Sequence, residues 1–472
     1  MKVLFVTSEA VPFIATGGLG DVCGALPVEV KKKGIDIAVV LPLYSDINDR
    51  YLKDMKFIKS FNVGVAWRNQ YCGVFSYEMS GVTYLFLDNE YYFKRDGIYG
   101  HYDDAERFAF YNRAVLEMIR EIDFVPDIIH LNDWQSSLVP VYLKLFYRSD
   151  EMYYGIKAII TIHNIGYQGT FTPYILGDVL GIPEKSYGLL SYDSSVNFLK
   201  SAIVESNRVT TVSPTYAKEI LDPWYAYGLD PLLREYSYKV SGILNGIDTK
   251  SFNPRTDKSI TANYFIKDLS NKEECKKALL KEFSLEYDCS AVIGIVSRLV
   301  EHKGFDLVKF VFEDILSLGV KIVMLGSGDE MYENVFGDFA KRYPNSFGFR
   351  KGYIPQLSRQ IYAGSDMFLM PSKTEPCGLS QMIALRYGTI PIVRETGGLK
   401  DTVCDYGNGE GNGFTFNNYN AHDMLNACMR ANSIYSDETL WHNLVVRAMR
   451  CDNSWAKAAV NYVGLYEDIA MK

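Results

Sequence analysis

The sequence has no lysine- and arginine-rich run long enough to form a phosphate-binding stripe, no C-x-x-C cysteine pair and no apolar run long enough to cross a bilayer, and each absence excludes a class of protein. Its 49 basic residues are outnumbered by 57 acidic ones, for a net charge of −8. Without a basic stripe to neutralise phosphates, nucleic acid is excluded as a partner. The eight cysteines (23, 72, 275, 289, 377, 404, 428 and 451) form no C-x-x-C pair and no zinc spacing. Free thiols in a reducing cytosol are expected, and hence a cytoplasmic location. The apolar start Met1–Val6 is interrupted by Glu9 and Pro12 too early for a signal peptide, and with no 18-residue apolar span elsewhere no membrane helix is expected. No D-x-D triplet occurs, so the usual carboxylate arrangement for a divalent ion on a nucleotide diphosphate is missing; no metal and no cofactor is expected.

What is present is ordinary globular material, 48% hydrophobic, in a chain of 472 residues, which exceeds one core and predicts two domains of roughly 200–250 residues. Short Val/Ile-rich runs alternate with helical patterns, as buried parallel strands do. They fall at 3–6, 37–41, 84–87, 128–131, 158–162, 209–212 and 242–244, then at 292–296, 322–325, 347–351, 368–370 and 390–393. Phe108, Tyr111, Val115, Met118 and Ile122 share one face of a helix over 104–122. The fold class is therefore α/β with two doubly wound domains, divided near residue 250 where Asn245-Gly246-Ile247-Asp248 ends a strand in turn chemistry. The glycine-rich stretch 407–413 has the polarity of a surface turn, not a linker.

Chemistry concentrates at strand ends. Thr16-Gly17-Gly18-Leu19-Gly20-Asp21-Val22 follows the first strand and opens a helix whose N-terminal N–H groups suit a phosphate, although Cys23 breaks the G-x-G-x-x-G pattern. The same loop is also compatible with a plain tight turn. Ser297-Arg298-Leu299 and Lys303 follow the first strand of the second half, where cations are placed to neutralise a leaving diphosphate. Further strand ends carry Glu375-Pro376-Cys377-Gly378-Leu379 and Thr396-Gly397-Gly398-Leu399. In the first half, His130-Leu131-Asn132-Asp133-Trp134-Gln135 and Thr161-Ile162-His163-Asn164 supply amides, carboxylates, imidazoles and rings of the kind that bind sugar hydroxyls and faces. Cys377 alone has no feature marking it as a nucleophile.

Taken in order from Val3 to about Tyr466, and with Asn197-Phe198-Leu199-Lys200 and Val212-Ser213-Pro214-Thr215-Tyr216-Ala217 added, these blocks resemble the bacterial glycogen synthase and plant starch synthase family. The resemblance implies a GT-B fold, two Rossmann-like domains facing a central cleft: an N-terminal domain over 1–250 on the glucan acceptor side, a C-terminal domain over 251–453 on the donor side, and a helix over 454–472 crossing back to the first. It implies transfer of glucose with retention and without metal from ADP-glucose, less often UDP-glucose, to the 4-hydroxyl at the non-reducing end of an α-1,4-glucan. By the same resemblance Arg298, Lys303, Glu375 and His163 are the catalytic set. Gly17, Gly18, Asp21, Tyr353, Cys377, Gly378, Leu379, Thr396, Gly397 and Gly398 bind the donor, and Asp133, Trp134, Asn164 and Asn245 are sugar or acceptor candidates. Two positions depart from related patterns: Ala15 stands where the family usually has lysine, and Ile383 stands where neighbouring transferase families carry a second glutamate, as glucan synthases commonly do. Rival readings are a retaining GT-B transferase using UDP-glucose or a small acceptor, and a catalytically weak glucan-binding homologue. A nicotinamide dehydrogenase lacks its fingerprint glycines.

Overall fold

The computed structural model describes residues 1–122, 124–407 and 409–471, and the chain divides into two compact units. The first comprises residues 1–212 and 217–243 with the helix starting at Trp455; the second comprises 213–216 and 244–454.

In the first unit the strands are β1 (Lys2–Val6), β2 (Asp36–Pro42), β3 (Lys56–Val65), β4 (Arg68–Met79), β5 (Val82–Asp88), β6 (Ile128–Asn132), β7 (Lys157–Ile162), β8 (Thr170–Phe171), β9 (Ser191–Tyr192), β10 (Ser195–Asn197), β11 (Arg208–Thr211) and β12 (Val240–Gly242). Nine of them form one sheet in the order β12-β11-β7-β6-β1-β2-β5-β4-β3, parallel except for the β3–β4 pairing and that of β4 with β5. Every residue of β6 is buried, as is all but the first of β1, β2 and β7, which is why these strands read as continuous apolar runs. β3 and β4 differ. Phe57 and Ile58 lie exposed on β3, so the hairpin has no buried-strand signature, and the apolar pattern predicts no strand over 56–79. The small sheet β8-β10-β9 was also missed, its strands being only two or three residues long. Helix Asp104–Glu121 forms where the apolar face predicted it. Helix Trp455–Ala470 lies on this unit, with the Tyr466 hydroxyl 2.7 Å from Nδ1 of the buried His130 on β6.

The second unit contains β13 (Val292–Val296), β14 (Lys321–Gly326), β15 (Phe347–Lys351), β16 (Met367–Met370), β17 (Ile390–Arg394) and β18 (Phe414–Phe416), all parallel in the order β15-β14-β13-β16-β17-β18. Counted within the unit this is 3-2-1-4-5-6, the Rossmann order. In the glycine-rich stretch, Asn408 lies outside the described residues. Around it the chain closes as a turn, with Tyr406 N–H donating to the Gly413 carbonyl and Gly409 N–H to that of Tyr406, both at 2.7 Å.

Candidate active site

In the second unit the winding reverses between β13 and β16, and at such a point the loops leaving two neighbouring strands diverge and open a crevice. A pocket occupies that position. Ser297 and Arg298 line it beyond β13, and Pro371 and Ser372 beyond β16, with Lys303, Glu375, Gly378 and Leu379 completing the wall. Lys303 Nζ donates to Glu375 Oε2 at 2.6 Å, and Ser372 Oγ donates to the same oxygen at 3.0 Å. Glu375 is only 7% exposed, so the two donors fix its carboxylate while Oε1 keeps acceptor capacity. Arg298 is exposed at the pocket wall, and its guanidinium has no hydrogen-bond or ion-pair partner among the described residues. The neighbouring His302 registers the positive potential: its imidazole is held below the usual range by burial first, and then by the charges of Lys303 and Arg298.

The loop carrying Glu375 is shaped by glycines on facing segments. Gly304 has φ +78°, and a Cβ there would run into the Pro371 carbonyl. Gly397, with φ +45°, has the same relation to the Glu375 carbonyl, and Gly398 to that of Cys377. Gly398 N–H donates to the carbonyls of Glu375 and Pro376 at 3.2 Å. Close backbone approach is the reason for glycine at both positions. Thr396 is fully buried beside them. Burial pushes the Cys377 thiol up to about 12, against the effect of the Asn245 N–H that it accepts, so it serves packing and not nucleophilic attack. Asn245 is itself buried, with Oδ1 lacking a partner among the described residues. Tyr353 does not line the pocket; it stands exposed just beyond β15.

In the first unit helix α1 (Gly18–Lys32) begins at the glycine pair. Glu9, buried beyond β1, accepts Thr16 N–H at 2.5 Å, Thr16 Oγ1 at 2.8 Å and the Tyr99 hydroxyl at 2.7 Å, and so pins the loop that enters the helix. The glycines of this segment divide into two kinds. Cβ atoms at Gly20 and Gly24 would collide with Ala15 and with the Val11 carbonyl, so the chain's own packing demands glycine. At Gly17 and Gly18 a Cβ would meet nothing within 4 Å, and neither residue has left-handed φ. Gly17 supplies no side-chain cap, which leaves first-turn N–H groups available. Asp21 lies on that turn at the surface, its carboxyl raised by desolvation and then by Glu9.

The ends of β6 and β7 meet through Asp133, a non-glycine residue at φ +54°. Its carboxylate accepts the N–H groups of His163, at 2.7 Å, and of Asn164, while burial raises its pKa to about 7. His163 Nε2 lies 2.9 Å from Asn132 Oδ1, whose amide is oriented by donation from Nδ2 to the Val6 carbonyl at 3.0 Å. The imidazole is therefore the Nε2–H tautomer, and burial lowers its pKa to about 3. It is a neutral hydrogen-bonding group at physiological pH, with Nδ1 as acceptor. Asn164 Oδ1 accepts Gly166 N–H at 2.9 Å. Trp134 requires a correction. At 9% exposure it packs edge-on to Phe108 and Phe171 and against Phe198, so its faces belong to the core and offer no sugar platform. Asp133 likewise works as a clamp on the His163 loop. Ser372, Glu9 and Tyr99 were not singled out as site residues. Glu9 alone carried a signal, a carboxylate just past the first strand.

Residues 2–235 match the starch synthase catalytic domain model and residues 276–444 the glycosyl transferases group 1 model. A glycogen synthase of Clostridium botulinum (strain Alaska E43 / Type E3) is 50% identical over 478 residues, covering all of both chains. One from Bacillus anthracis is 48% identical over 474 residues, 99% of this chain and 100% of the relative. The chain belongs to the glycogen and starch synthase family. The catalytic domain of starch synthase IV from Arabidopsis thaliana, bound to ADP and acarbose, superposes with a TM-score of 0.90 at 34% identity, over 100% of this chain and 99% of that one. A sucrose-phosphate synthase from Thermosynechococcus elongatus, at 15% identity and TM-score 0.62 over 99% and 98%, shares the fold. The architecture of this family member is accordingly GT-B with two Rossmann-like domains, and the protein is a glucosyltransferase.

Proposed function

We propose that the enzyme transfers glucose, with retention, from ADP-glucose to the 4-hydroxyl at the non-reducing end of an α-1,4-glucan. The observation that carries this reading is the pocket at the β13/β16 reversal, where an unpaired guanidinium and an ammonium stand beside a fixed carboxylate. Breaking the bond from the anomeric carbon to the diphosphate leaves negative charge on phosphate oxygens, and preorganised donors aimed at developing charge are each worth about 2.7–4 kcal/mol. Arg298 and Lys303 supply them. Within the second unit Glu375 Oε1, and within the first His163 Nδ1, are each an acceptor for a sugar hydroxyl. In this scheme the acceptor hydroxyl attacks the face that the diphosphate leaves: the new C1–O4 bond forms, the C1–O phosphate bond breaks, and the acceptor's proton passes to the departing phosphate. The ADP bound by the Arabidopsis relative supports an adenine nucleotide.

Competition between ADP-glucose and UDP-glucose on a maltooligosaccharide, followed by proton NMR of the first product, tests donor and stereochemistry together. A new α-anomeric signal formed mainly from ADP-glucose is expected; a β-anomer or preference for UDP-glucose contradicts the proposal.

The open glycines give a second prediction. Because a Cβ at Gly17 meets none of the chain's own atoms, Gly17→Ala is expected to keep the melting temperature within about 2 °C, a surface-like effect. If the donor approaches this main chain, its KM rises about tenfold or more, equivalent to roughly 1.4 kcal/mol. Unchanged donor KM removes Gly17 from the site.

Ala15 gives a third. It is exposed at the entry to α1, and lysine shares its Cβ, so an ammonium can be added without disturbing the packing on Gly20. A charge-assisted hydrogen bond contributes about 1.5–3 kcal/mol, so Ala15→Lys is expected to raise kcat/KM for ADP-glucose about tenfold. An unchanged or lower value with both donors refutes this.

A further inference from the structure

We propose that Tyr227, beside the Asn164–Gly166 turn, is a stacking platform that holds the α-glucan chain on the first unit. The inference rests on the glucan acceptor proposed above. Tyr227 sits at φ +49° in a turn whose next residue, Gly228, has φ +86°. The residue is 60% exposed. An L-residue in left-handed backbone is disfavoured by about 1–2 kcal/mol, a penalty glycine does not carry, and an exposed ring recovers little of it by burial. Stability alone would place glycine here. The turn is nevertheless held firmly: Gln168 Nε2 donates to the carbonyls of Tyr227 and Ile165, each at 3.1 Å, and the Tyr192 hydroxyl donates to that of Gly228 at 2.8 Å. A Cβ at Gly166 would lie 3.6 Å from the Tyr227 ring, so the ring stands against the turn that follows His163. Tyr167, next in the chain, is 63% exposed. Strained, rigidly supported and solvent-facing residues mark ligand contacts.

The occupant is set by its neighbours. Aromatic faces beside the Asn164 amide match a pyranose chain, which presents C–H faces and hydroxyls along the same edge, while the Gln168 amide is spent on holding the turn, its Oε1 accepting Asn197 Nδ2 at 2.7 Å. The ring stands against the turn that follows His163, whose Nδ1 is proposed to accept a sugar hydroxyl.

The test compares Tyr227→Gly and Tyr227→Trp with the full-length wild-type enzyme, by affinity electrophoresis in glycogen-containing gels, KM for maltooligosaccharide, KM for donor, and thermal melting. Tyr227→Gly is expected to melt at or above the wild-type temperature while its glucan affinity falls about five- to tenfold, as for losing contact with roughly 50 Å² of apolar surface. The change falls on glucan and not on donor KM. Tyr227→Trp retains affinity to within about twofold. Unchanged glycogen retardation in Tyr227→Gly overturns the proposal, as does a fall in melting temperature accompanying the loss, which makes the ring structural. Equal losses in both variants overturn stacking. If wild type transfers glucose to glucan and only these outcomes fail, the platform is wrong and the function stands; if wild type neither binds nor extends glucan, both fail.

Discussion

Arg298→Ala and Lys303→Ala are each expected to lower kcat by about a hundredfold or more, because in the proposed mechanism each removes charge stabilisation concentrated in the transition state. The two variants are expected to differ in stability. The Arg298 guanidinium has no partner among the described residues, so its loss is expected to leave the melting temperature nearly unchanged and to weaken ADP inhibition along with turnover. Lys303 is partnered to Glu375 at 2.6 Å, and its removal leaves a nearly buried carboxylate with Ser372 as its remaining donor. Breaking a buried pair in this way destabilises by about 3–5 kcal/mol, discounted here because Lys303 is partly exposed. Steady-state kinetics and calorimetry on both variants check this. Near-normal turnover in either one takes that residue out of the mechanism, and a lost circular dichroism spectrum assigns it to the fold instead.

Gly397→Ala is expected to lower kcat/KM by at least about a hundredfold and to reduce stability measurably, for a geometric reason. The position has left-handed φ, and the added methyl would collide with the carbonyl of Glu375 itself. Alanine at an incompatible φ destabilises, by more than the roughly 0.4–1 kcal/mol that a compatible replacement gains. The collision also displaces the Glu375 carboxylate, proposed to hold the sugar, and misplacement by about 1 Å can reduce rate a hundredfold. The contrast with Gly17→Ala is the informative part: Gly397 is required by the chain's own packing and Gly17 is not. Equal melting temperatures and equal activity in Gly397→Ala and wild type would show that the loop adjusts and that this close approach does not position Glu375.

How much of this was legible in the sequence depended on burial. Strands covered on both faces, such as Ile128–Asn132 and Val292–Val296, announce themselves as apolar runs, and the residues just after them carry the chemistry because parallel sheets open at their carboxyl ends. The exposed hairpin over 56–79 and the two-residue strands had no such signal. Motif spacing also could not separate a sugar contact from a scaffold. Trp134 reads as a stacking ring but lies in the core, and Asp133 reads as a ligand but clamps the N–H groups of His163 and Asn164. Ser372 and Glu9 act through hydrogen bonds to partners three and seven residues away, Glu375 and Thr16, and a single sequence does not distinguish these from ordinary polar residues.

The most direct test of the central claim is to incubate the purified enzyme with ADP-glucose and glycogen and to measure ADP released against glucose incorporated. ADP formation is expected only when glycogen is present, in a one-to-one ratio with glucose recovered from the glucan by α-1,4-specific hydrolysis. Release of ADP that does not depend on glycogen, or no release at all, contradicts the account.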